Sequence, residues 1–198
     1  MVGWRSTDVH GLRAGRRQWC TLHNPAVTTA VVLSGRGKCP LDRGLCYCAV
    51  QLGAAQMAGV ILGQIASGPG EVFSLGPQGH FLWPAVFAAE LAFTFLLAFV
   101  VLAVATTRLP HSPSKQHFHF GLSIGGCVTA GGFAVGAVSG GVLNPAVAWS
   151  LATAIDSSKG WESCLTLALF ELAGGVLAAA VFGATHSWEF KKPGSLLD

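Results

Sequence analysis

The residues best suited to chemistry are two carboxamides. Asn24 and Asn144 each open the tetrapeptide Asn-Pro-Ala-Val, 120 positions apart. Asn is a strong helix N-cap and Pro fits the first helical position, so each tetrapeptide starts a helix. A capping Asn commits its side-chain oxygen to backbone amides and keeps an NH2 group that donates. Each helix N-terminus carries about half a positive charge. Two such ends facing one space would hold a neutral hydrogen-bond acceptor and repel cations without a charged side chain.

Two carboxylates are the next candidates. Glu90 and Glu171 each interrupt a long apolar stretch, where an ionisable side chain is a functional candidate by default. The six cysteines, Cys20, Cys39, Cys46, Cys48, Cys127 and Cys164, lack Cys-x-x-Cys spacing and a His-rich companion. They read as small hydrophobes, with no metal and no disulfide framework. His80, His111, His117 and His119 fall at loop ends and read as solvated side chains. No nucleophile–base pair has helix-face spacing within an apolar run, so the chain does not read as an enzyme and calls for no cofactor.

The elements that must position these groups follow from hydropathy. The 198 residues are 52% hydrophobic and 11% charged, where soluble domains carry about 25% charged residues. Mean hydropathy is +0.55. The charge deficit is concentrated in long spans. None falls within 44–70, only Glu90 within 81–107, none within 116–155 and only Glu171 within 163–187. This pattern reads as an all-α, multi-pass integral membrane protein. The net charge of +3 is scattered and makes no case for nucleic acid. Residues 1–20 do not read as a secretory signal, since they lack an apolar core of about seven to fifteen residues.

Four stretches, near 44–66, 83–107, 119–138 and 162–186, are long enough to cross about 30 Å of hydrocarbon. Residues 24–33 and 144–155 reach only about 15 and 18 Å as helices, half a bilayer each. Such half-helices persist at membrane depth only where they are buried in protein or line a watery cavity. Lys and Arg cluster in alternate connections (Arg36, Lys38 and Arg43; Arg108 and Lys115; Lys191 and Lys192). That makes one side cytoplasmic and starts the two half-helices from opposite faces.

The duplication extends beyond the tetrapeptides. Gln51 lies 27 residues after Asn24 and Glu171 lies 27 after Asn144, both in Gly- and Ala-rich helices suited to close packing. Inverted repeats with interrupted helices that meet at the midplane are a transport architecture. On these residues ("HNPAVT", "AELAFTFLLAFVVLAVAT" and "SGGVLNPAV") the chain resembles the aquaporin, or major intrinsic protein, family over roughly 21–187.

The resemblance implies an aquaporin-like inverted repeat with about four membrane-spanning helices plus two re-entrant half-helices. It implies a channel for water and small neutral solutes, lined by Asn24, Pro25, Ala26, Asn144, Pro145 and Ala146, in a lipid bilayer. It also implies a homotetramer. By ungapped alignment, the narrow filter of the family falls at Gly132, Gly141 and Val147. Val147 stands where the family usually has Arg, and Ala148 stands where glycerol channels have Asp. The expected filter is therefore wide and apolar. Glu90 matches the family Glu that supports the half-helix loops; a role for Glu171 stays open.

The second repeat has two spans before Asn144, beginning at Trp83, but the first has only 23 residues before Asn24. Two of the usual six helices are thus expected to be missing, including the one that carries the fourth filter residue. Residues 1–20, with four arginines, are expected to lie outside the fold. Residues 21–187 are expected to form the channel domain, with a partial first repeat over 21–66 and a second over 83–187. The last stretch, 188–198, reads as a cytoplasmic tail. Two readings remain: a fragment of a complete channel, or a shortened, non-conducting subunit that acts in assembly or regulation.

Overall fold

The structure, a computed structural model, describes residues 23–66, 74–107 and 120–190. Within them six α-helices follow in order: α1 Pro25–Leu33, α2 Leu41–Ile65, α3 Trp83–Ala105, α4 Phe120–Ser139, α5 Pro145–Ile155 and α6 Ser158–Thr185. A 3-10 turn, Ser187–Phe190, ends the described chain. Helices α2, α3, α4 and α6 are long and apolar enough to cross a membrane. The nine residues of α1 and eleven of α5 are not.

Both half-helices begin as their sequences dictate. Asn24 and Asn144 are extended N-caps, and each Oδ1 accepts the backbone N–H two residues on, Ala26 at 2.9 Å and Ala146 at 3.0 Å. Pro follows at the first helical position in both. The start of α6 lies four residues earlier than the apolar run at 162 suggests. Ser157 caps it by accepting from the Gly160 N–H at 3.1 Å, so polar residues form its first turn.

Helices α3 and α6 are the frame on which the rest hangs. Val27, Ala30 and Val31 of α1 bury against Leu97, Ala98, Val101 and Leu102 of α3 and Ala178 and Phe182 of α6. Those are the C-terminal halves of both long helices. Ala148 and Ala152 of α5 pack instead on Val86, Cys164 and Leu167, from the N-terminal halves. The half-helices therefore enter from opposite ends and point their N-termini at each other. Across the repeats, α1 also leans on α6 while α5 leans on α2.

Close approach along the frame depends on small residues. A Cβ added at Gly174 would lie 2.7 Å from the Leu91 carbonyl oxygen and 2.9 Å from the Phe95 nitrogen. Backbone cannot yield as a flexible side chain would. Gly174→Val is expected to push α3 and α6 apart at a cost of about 1–3 kcal/mol. The midpoint of a heating curve on purified protein in detergent checks it; an unchanged midpoint would contradict this packing.

One end of the molecule gathers the connection after α1 and the ends of α3 and α6. Arg36, after α1, donates to the Thr106 hydroxyl at the end of α3 and lies 4.4 Å over the Phe182 ring. It also pairs with Glu189 of the 3-10 turn at 3.6 Å, and both side chains are buried. The other face of this cluster is aromatic, with His186 stacked on Phe182 at 4.1 Å. The connection after α1, the end of α3 and the end of α6 thus share one side, while Arg108, Lys115, Lys191 and Lys192 lie outside the described residues. His80 stacks on Phe81, while His111, His117 and His119 lie outside the described residues.

Candidate functional site

The two N-caps meet. Asn24 Nδ2 donates to the Leu143 carbonyl at 2.8 Å, and Asn144 Nδ2 donates to the His23 carbonyl at 3.3 Å. Each amide thus reaches across to the residue that precedes the other one. Sequence reasoning left both NH2 groups free. The structure takes one hydrogen from each and leaves the other, because the opposing carbonyl is the nearest acceptor for a helix start buried beside it. Pro25, Ala26, Pro145 and Ala146 are all buried against this junction.

The approach to Asn144 is an unusual backbone. Gly140, Gly141 and Leu143 have φ of 93°, 65° and 54°. For leucine the left-handed region costs about 1–2 kcal/mol, so something must hold Leu143 there. Glu90, fully buried, does: its Oε1 accepts from the Ser139 hydroxyl at 2.6 Å and the Val142 N–H at 3.1 Å. Its Oε2 accepts from the Leu143 N–H at 2.8 Å. The Leu143 carbonyl is the one Asn24 grips, so both the N–H and the C=O of this strained residue are engaged. Glu171, also fully buried, accepts the Asn144 N–H at 2.8 Å.

Gln51, the counterpart of Glu171, instead donates to the Thr28 hydroxyl at 3.0 Å. The difference is local. Thr28 corresponds to Ala148 in the second copy, which has no hydroxyl to offer. A further polar tie escaped sequence reading. Gln56 Oε1 accepts from the Trp149 indole N–H at 2.7 Å and the Thr153 hydroxyl at 3.0 Å, joining α2 to α5. Its only trace in the sequence is an amide in an apolar helix.

Of the three filter positions, Gly132 and Gly141 come together. A Cβ built on Gly141 would sit 3.0 Å from the Gly132 carbonyl oxygen, whereas one on Gly132 would point into open space. Val147, on the first turn of α5, is 41% exposed. Among the described residues, no three His, Cys, Asp or Glu side chains stand close enough to hold a metal ion. Cys39, Cys46, Cys48, Cys127 and Cys164 are free thiols, and Cys20 lies outside the described residues. Outside the spans, burial pushes the Cys39 thiol above its usual range, so it stays protonated at neutral pH.

A family model, that of the major intrinsic proteins, matches residues 22–182. The chain belongs to the major intrinsic protein family. Among curated proteins, none matches it. Membership makes this an integral, multi-pass membrane protein and a channel of the aquaporin kind. Members of the major intrinsic protein family are channels rather than enzymes. The match spans both half-helices and all four long helices of this family member, ending at Phe182 in the last turns of α6.

Proposed function

We propose that the chain conducts water and small neutral solutes along a path that passes Asn24 and Asn144. The observation that carries this reading is the reciprocal clasp of the two capping amides. It fixes both side chains and leaves one N–H on each to donate to a passing oxygen. A water bonded to both would be turned away from its neighbours, and the two helix dipoles would repel hydronium. Pro25, Ala26, Pro145 and Ala146 supply the buried helix starts that hold this geometry.

Gly132, Gly141 and Val147 form the proposed filter. Two residues without side chains and one short apolar one neither narrow a passage nor donate to a solute. Urea, ammonia and peroxide are therefore expected to pass beside water, with glycerol not specifically favoured. The unit proposed to carry the pore is 21–187, assembled as a homotetramer.

Stopped-flow light scattering on proteoliposomes that hold the purified chain tests both parts. Water and urea permeability well above empty vesicles is the expected result. Strict water selectivity would overturn the wide filter. A folded, monodisperse protein that passes neither would favour the non-conducting subunit.

A further inference from the structure

Glu90 and Glu171 are both fully buried and accept from the consecutive backbone amides of Leu143 and Asn144. Together they offer four oxygens. Ser139, Val142 and Leu143 donate to Glu90, and Asn144 donates to Glu171 Oε1. Glu171 Oε2 is buried and receives no hydrogen bond from any described donor. Two carboxylates cannot hydrogen-bond each other, since both only accept. A proton held between them satisfies the remaining atom. Glu90 already accepts three hydrogens, so the proton belongs on Glu171 Oε2. Among the described residues, the buried Cys164 thiol, on the same helix, also lies within electrostatic reach of Glu171.

We propose that Glu171 is a positioning residue that works as a neutral acid. Its Oε1 holds the Asn144 backbone N–H while its Oε2–H donates to Glu90, clamping residues 139–144 around one shared proton. The counterpart Gln51 fits this reading, because an amide carries on nitrogen the hydrogen that Glu171 must carry as an acid. Loss of the proton would set two like charges close together inside a low-dielectric interior. The segment that presents Asn144 would then loosen. Protonated pairs hold the site and deprotonated pairs release it, so permeability falls as pH rises. That last consequence rests on the proposed channel reading, but the pair itself does not.

Infrared spectroscopy on the purified full chain reads the proton directly. Wild type at neutral pH is expected to show a protonated-carboxyl C=O stretch that Glu171→Gln removes. An absent band, or one that survives Glu171→Gln, overturns the proposal whether or not the protein conducts. In proteoliposomes, Glu171→Gln is expected to make permeability independent of pH. Wild type should lose about tenfold at alkaline pH, the scale of one orphaned buried hydrogen bond. A pH-independent wild type would overturn the positioning role. Band loss with no permeability in any variant would sink the channel reading and leave the shared proton standing.

Discussion

Glu90→Leu is expected to yield little folded protein and no permeability. The substitution removes the acceptor of three buried donors, the Ser139 hydroxyl and the Val142 and Leu143 amides. Each orphaned donor costs about 1–3 kcal/mol, and Leu143 also loses the hold that keeps it at positive φ. Against this stands the relief of removing a charged group from the membrane interior, worth about 2.5–3.5 kcal/mol on insertion scales. The orphaned donors win, because a deleted partner leaves the others buried with nothing to bond. At roughly 2–4 °C per kcal/mol for a chain of this size, the midpoint should fall by about 10 °C. Glu90→Gln keeps one acceptor oxygen and should lie between wild type and leucine. Heating followed by size-exclusion chromatography gives the midpoints; leucine matching wild type would refute the account.

Val147→Arg should convert the proposed filter from wide to narrow. Val147 is 41% exposed at the start of α5, and open space lies in front of Gly132, another of the proposed filter positions. An arginine there adds length, a cation and five donors. Its repulsion from the N-terminal end of α5 costs about 0.3–1 kcal/mol, too little to unfold the protein. Urea permeability should drop about tenfold while water falls far less, since pore diameter and lining donors set such selectivity. Paired stopped-flow measurements of water and urea decide it. Equal loss of both would mean that Val147 plugs a shared path, and no loss of either would remove it from the filter.

The two capped half-helices and four spans were legible because their signals are local. Asn-Pro fixes a helix start by itself, and α1 and α5 begin where those residues stand. Span length follows from uninterrupted hydropathy, and α3 at Trp83–Ala105 matches the run read at 83–107 to two residues. What escaped reading depends on main-chain atoms. The Asn24 amide grips the Leu143 carbonyl, and every residue type has a carbonyl, so no side chain announces the pairing. Arg36 read as one more cytoplasmic cation, yet it is buried under Thr106, Phe182 and Glu189. The role of Glu171 hinged on Ala148 lacking the hydroxyl that Thr28 gives Gln51, a difference visible only once both helices are packed.

The clasp between the two caps also sets a timetable for biogenesis. Asn24 and its acceptor on Leu143 are 119 residues apart. At roughly 5–20 residues per second, a ribosome needs on the order of 6–24 s to supply the second half after the first has emerged. Through that interval the start of α1 has no opposing carbonyl, and bare helix ends are not tolerated in lipid. The first half-helix must therefore wait at the interface or within the insertion machinery while three longer helices are laid down. A slowed ribosome prolongs its exposure.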